Sequence, residues 1–175
     1  EIPLRLVGSE MCIRDSTINR GRLQGVGPKM GVIAPKGIAG IVVNTTDNYA
    51  LVQSVLSTNK IKINASLKKS GYFGTLSWRG ENSRLMHLSD IPKYVPLKVG
   101  DTVVTDGKSA IFPQGIMIGR VAGYEVDTKT GFWDISVELS ETMGNISKIY
   151  VVKNLKKSEV RKIEDTLKAA MERDD

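Results

Sequence analysis

A single histidine, His87, stands in this 175-residue chain, and any acid–base or nucleophilic chemistry would have to be assembled around it. With Asp101 or Asp106 as the orienting carboxylate and Ser109 as the hydroxyl, His87 would complete a hydrolase-type triad. No serine has nucleophile-elbow spacing, however. His87 lies between Met86 and Leu88 on a predicted strand, where a surface or hydrogen-bonded imidazole is the expected role. With one histidine and one cysteine, Cys12, a zinc site would need carboxylates for the rest of its ligands, against that metal's usual preference. Gly107-Lys108-Ser109 imitates the end of a phosphate-binding loop, but Thr102 occupies the place of its first glycine. The segment after it is strand-like and contains Pro113, where the motif requires a helix. Gly25-Val26-Gly27 opens a dinucleotide fingerprint that Met30 breaks at the third glycine. Asp101-Thr102-Val103 lacks the glycine of an aspartic-protease loop and has no second copy to pair with. Catalytic, cofactor and metal sites are all expected to be absent.

Charge and aromatic content bear on binding. The formal net charge is +6 and the pI about 9.4, which suits nucleic acid, anionic head groups or an acidic polymer. The cations are dispersed, and the densest group is only Lys153, Lys156, Lys157, Arg161 and Lys162, so a solvated surface is the expected reading. Tyr72, Phe73 and Trp78 would make a stacking platform for bases on a small barrel. Core packing is the plainer role for them.

The elements that must position any such site centre on residues 99–119, VGDTVVTDGKSAIFPQGIMIG. Gly100-Asp101 and Asp106-Gly107 are turn pairs bracketing a short strand, Thr102 to Thr105. Ala110 to Gly115 then forms an elbow in which Pro113 removes a backbone donor and Gly115 frees the turn. Strands are also predicted around Thr17–Asn19, at Val32–Ala34, over Ile38–Asn44 with Gly40 as a bulge or close-approach point, and over Tyr49–Leu56 as an interior strand. Lys60–Ala65 alternates cleanly, and Tyr72–Trp78 and Arg84–Leu88 flank a hairpin loop. Ile91 to Pro96, with two prolines, reads as an extended connector. Phe132–Leu139 is the clearest strand: Trp133, Ile135, Val137 and Leu139 point one way, Asp134, Ser136 and Glu138 the other. Ser147–Val152 is the last strand. After Leu155 the apolar spacing becomes helical, with Ser158 as N-cap. The expected fold is all-β, two small β-barrel lobes with a border near residues 55–60, and a short C-terminal helix over 155–175.

The longest run without a charge is twelve residues, Asn48 to Asn59, short of the ~20 apolar residues of a spanning helix. Residues 1–16, EIPLRLVGSEMCIRDS, differ in composition and rhythm from the rest of the chain and resemble translated sequencing-adapter DNA, so fold reasoning starts at Thr17. Setting them aside removes the only thiol, as suits an extracytoplasmic compartment.

The runs GVIAPKGIAGIV (31–42), KKSGYFGTLSW (68–78), DIPKYVPLKVGDTVVTDGKSAIFPQGIMIGRV (90–121) and IYVVKNL (149–155) closely resemble the MreC family of bacterial rod-shape-determining proteins. The resemblance covers about residues 17–155 and is most specific over Val99 to Gly119. It implies two extracytoplasmic β-barrels that follow a membrane helix and coiled coil missing from this fragment, on the periplasmic face of the inner membrane. It implies no enzyme activity, although the family's barrels have been likened to those of chymotrypsin-type proteases. The implied role is a scaffold of the cell-elongation complex that organises peptidoglycan synthesis. Its implied partners are a class B penicillin-binding transpeptidase, MreD, MreB through the missing N-terminal part, and further copies of itself, with no cofactor and no nucleic acid. The matching signature is Gly100, Asp101, Thr105, Gly107, Phe112, Pro113, Gly115 and Gly119, with mainly architectural roles: Phe112 is expected to plug a barrel end. The elbow at Ile111-Phe112-Pro113 either presents a partner groove or simply packs the barrel, and packing is preferred. The alternative reading of the whole chain is a basic SH3- or OB-like nucleic-acid-binding module.

Overall fold

Short runs of alternating residues, interrupted by glycine and proline, bury one face at a time and so commit this chain to antiparallel strands. The computed structural model describes residues 15–57, 61–146 and 148–153. Among them are eleven strands: β1 (Asp15–Ile18), β2 (Gly31–Ala34), β3 (Gly37–Thr45), β4 (Ala50–Ser54), β5 (Ile63–Leu67), β6 (Phe73–Ser77), β7 (Leu85–Pro92), β8 (Thr102–Thr105), β9 (Met117–Val126), β10 (Phe132–Leu139) and β11 (Tyr150–Val152). The helix expected over 155–175 lies outside the described residues, as do residues 1–14.

The strands form two lobes. β5 to β10 close into a six-stranded barrel in the order β10-β7-β6-β5-β8-β9. The other lobe is a five-stranded sheet, β1-β4-β3-β2-β11, and among the described residues its order is that of an open sheet where a second barrel is expected from the sequence. The chain crosses between lobes twice. It leaves the sheet after β4 and returns after β10, so that β11 can pair with β2 through Tyr150–Ile33, Val151–Val32 and Val152–Gly31.

Several boundaries differ from expectation for local reasons. β1 starts at Asp15, two residues before Thr17, with Asp15 opposite Gln53 and Ser16 opposite Val52. β5 starts at Ile63, although Ile61 is already buried and the alternation of Ile61, Ile63 and Ala65 holds. β7 continues through Ile91 and Pro92, which the sequence presents as connector. Pro92 is tolerated because it is the last residue of its strand, opposite Phe132. β9 runs on to Val126, and its outer half is exposed on both faces, so no alternation marks it. At Gly40 both expected features occur. Ala39 is an extra residue between the pairs Gly40–Val32 and Ile38–Ile33, and a side chain at Gly40 would meet the Gln53 carbonyl and Val52.

One apolar core runs through both lobes. Ile18, Val32, Ile38 and Val42 fill the sheet side; Leu76, Met86, Leu88, Ile118, Ile135 and Val137 fill the barrel; Phe112, Met143, Ile146 and Ile149 belong to the same cluster.

Candidate functional site

The elbow between β8 and β9 is where the signature residues meet. Thr105, the last residue of β8, is buried, and its hydroxyl works twice. It donates to the Pro113 carbonyl at 2.6 Å and accepts from the Ile116 amide at 2.9 Å. The Thr105 amide also donates to the Ile116 carbonyl, and Gly115 N–H to the Thr105 carbonyl, each at 2.9 Å. One threonine therefore clamps both ends of the return. Within the loop, the Asp106 carboxylate accepts the Lys108 amide at 2.9 Å and Ser109 Oγ accepts the Ile111 amide at 3.1 Å. Gly107 has φ 75°, and a Cβ there would lie 2.6 Å from Gln114 Cβ, so no other residue fits without displacing the loop.

This geometry delivers Phe112, 1% exposed, out of the barrel and onto the neighbouring sheet. A Cβ added to Gly31 of β2 would lie 2.5 Å from Phe112 Cδ1 and 2.6 Å from Cε1. The ring is thus seated on bare backbone across the seam between lobes. The same hairpin supplies a second close approach, since a Cβ on Gly37 would come within 2.8 Å of the Met117 carbonyl. The Lys36 amide adds a hydrogen bond to Glu141 at 3.0 Å. In sequence Gly37 reads as a turn residue and Gly31 as part of a turn-rich connection; nothing local signals contacts with residues as distant as Phe112 and Met117.

Not all signature positions gather there. Gly119, on β9, lies opposite Leu139, where a side chain would strike the Glu138 carbonyl. Gly100 and Asp101 sit at the far end of β8: Gly100 turns with φ 91°, and the Asp101 carboxylate accepts the Lys98 amide at 2.9 Å. The eight residues bracket β8 and frame the barrel.

The triad conceivable from sequence does not assemble. His87 Nδ1 lies 3.3 Å from Asp134, whose other oxygen accepts from Arg79 at 2.7 Å; neither Asp101 nor Asp106 is its partner. Ser109 belongs to the β8–β9 loop, and β8 is not a neighbour of β7 in the barrel. The base-stacking platform fails as well. Phe73 opens β6 facing outward, whereas Trp78 follows its end with the inward parity of Leu76, about 17 Å further along. Trp78 packs against the core and donates its indole N–H to the Asn82 carbonyl at 2.8 Å. Among the described groups, the acidity clearly altered is that of Asp127, in the β9–β10 turn. The Lys129 backbone amide, then the Thr130 hydroxyl, hold its carboxyl below the ordinary value of 3.8.

Comparison with known proteins gives a consistent result. A family model described as rod shape-determining protein MreC, barrel core, matches residues 10–153. The cell shape-determining protein MreC of Listeria monocytogenes is 33% identical over 112 residues, which is 63% of this chain and 38% of that protein. The Bacillus subtilis protein of the same name is 31% identical over 121 residues, 64% of this chain and 42% of that one. This chain thus spans well under two thirds of the relatives it matches. Among solved structures, MreC of Listeria monocytogenes aligns over 87% of this chain and 75% of its own, with TM-score 0.81 and 24% identity. MreC of Pseudomonas aeruginosa aligns over 86% and 97%, with TM-score 0.76 and 21% identity. A complex between penicillin-binding protein PBP2 and MreC from Helicobacter pylori aligns over 85% and 96%, with TM-score 0.63 and 16% identity. At these identities the structural likeness concerns the fold.

Proposed function

Because this chain belongs to the MreC family of rod shape-determining proteins, we propose that it is the extracytoplasmic part of a non-catalytic scaffold that organises and activates peptidoglycan synthesis enzymes. The observation that carries this reading is the similarity to the MreC found in complex with a penicillin-binding protein. It is supported by the joint between the lobes, where a buried aromatic wedge on an elbow held by a doubly hydrogen-bonded threonine seats against the sheet. A rigid body of this kind acts on an enzyme by binding one of its conformations better than another, which shifts the enzyme's population without any bond being made. The partner is a class B penicillin-binding transpeptidase. The chain itself works at the periplasmic face of the inner membrane, with MreD as its membrane partner and a link to MreB inside the cell. Self-association multiplies individually weak contacts through effective concentration.

The test is direct binding. The chain, immobilised, is titrated with the purified class B transpeptidase of the same organism, with a β-lactamase as control. Saturable binding of the transpeptidase alone is expected; equal or absent binding of both overturns the scaffold reading.

A further inference from the structure

We propose that the outer wall of the barrel carries a glycan-binding groove built from Tyr72, Phe73, Thr75, Asn64 and Asp90. These residues, with Gly74 and Pro92, line a cavity of about 310 Å³ on the face of β5, β6 and β7. This is the size of pocket that takes a small ligand, and its wall is mainly apolar with a few polar groups.

The groove exists because β7 is bulged. Trp133 of β10 faces Ile91 and Ile135 faces Leu88, so Ser89 and Asp90 together oppose the single residue Asp134. The extra residue breaks the alternation of faces. Leu88 and Ile91 both point into the core, which leaves Ser89 and Asp90 both outside it. Asp90 adopts φ 69°, a left-handed conformation uncommon for a residue other than glycine. Gly74 permits the bulge to close down on β6, since a side chain there would meet the Ser89 carbonyl. Strained backbone that sets a carboxylate on an exposed wall is the kind of feature that a binding site retains.

The rings beside it are exposed: Tyr72 38%, Phe73 53% and Tyr94 73%. Tyr72 and Tyr94 meet edge to face at 6.1 Å, and Lys108 Nζ stands 2.9 Å from the Phe73 ring centre, covering one face of that ring and leaving the other for a ligand. Ser89 Oγ donates to one Asp90 oxygen at 3.3 Å, and the other has no hydrogen bond among the described residues.

These groups together select one ligand chemistry. A pyranose offers an apolar C–H face to an aromatic ring and hydroxyl donors along its edge to a carboxylate, an amide and a threonine hydroxyl. An apolar peptide side chain would offer the free Asp90 oxygen no hydrogen-bond donor. A phosphate would be repelled by Asp90, and a basic side chain by Lys108 at the same wall. A neutral sugar chain fits. The choice of an N-acetylated glycan rests on the reading of this chain as a peptidoglycan-synthesis scaffold.

The probe is chitotetraose, titrated into the full chain by isothermal calorimetry. Saturable binding is expected, weakened at least about tenfold by Phe73→Ala and by Asp90→Asn, and unchanged by Tyr49→Ala, an exposed aromatic of the other lobe. Asp90→Gly keeps the backbone conformation and removes the carboxylate. It should weaken binding equally while leaving the thermal midpoint no lower than that of the parent chain. Absence of saturable binding, or equal affinity in Phe73→Ala and Asp90→Asn to that of the parent chain, overturns the groove. If chitotetraose fails but the transpeptidase binds and is lost in Phe73→Ala, the wall is a protein-docking surface and only this inference falls. If chitotetraose binds and the transpeptidase does not, the groove stands and the scaffold reading falls.

Discussion

Phe112 and Thr105 show how two side chains set the relation of two lobes. Truncating a buried phenylalanine removes its transfer free energy and leaves a cavity, so Phe112→Ala should destabilise by about 3–5 kcal/mol, read as a lowered denaturation midpoint. The same loss should shrink in a Gly31→Ala background, because the added methyl already displaces the ring; a double-mutant cycle measures that coupling. Thr105→Val keeps the shape but strands the Pro113 carbonyl and the Ile116 amide. A cost of about 1–3 kcal/mol is expected from urea titration, with binding of the transpeptidase retained wherever the fold survives. The glycine and proline positions of this elbow are legible as turn chemistry. The destination of Phe112 is not, because spacing describes the loop and says nothing about which surface a ring lands on.

Among the elements, β8 and β10 match their expected limits since each is bounded by turn residues, and β10 alternates from Asp134 to Leu139. β7 and β9 are longer than their sequences suggest: prolines disguise the end of one, and two-sided exposure the end of the other. The β9–β10 hairpin tests the electrostatics of a single turn. Because Asp127 has its carboxyl pKa lowered by the Lys129 amide and the Thr130 hydroxyl, its ionised form favours the fold. That stability is fully present above the ordinary value of 3.8 and is lost as pH falls through the lower folded value. Asp127→Asn should therefore lower the thermal midpoint at pH 7 and lose this difference in strong acid, as followed by circular dichroism. The charge lies in a surface turn, so the effect should be small and salt-sensitive.

At the level of the molecule, the return strand ties the barrel back to the sheet. Val151 lies opposite Val32 on β2, at the outer edge of the five-stranded sheet. Val151→Pro removes the ladder amide at that edge. It should reduce hydrogen-exchange protection in β2 and β3 while β9 and β10 keep theirs, and light scattering should report association through the uncovered edge. Protection lost equally in both lobes would mean that they unfold as one unit.

Composition, turn spacing and alternation suffice to establish that this chain is all-β, that its strands are short, and that its single histidine has no catalytic company in sequence. The specific run at 99–119 is enough to suggest the family. These are local properties, carried by each residue's own dihedral preferences and by the period of its neighbours. It takes the packed fold to close one lobe while the other keeps the order of an open sheet, to bring β11 back to β2, and to pair His87 with Asp134. The wedge of Phe112 on Gly31 and the bulge that turns Asp90 outward arise at the same level. Each of these joins residues far apart in sequence, and such a pairing is chosen by the packing of whole surfaces, which leaves no periodic mark along the chain.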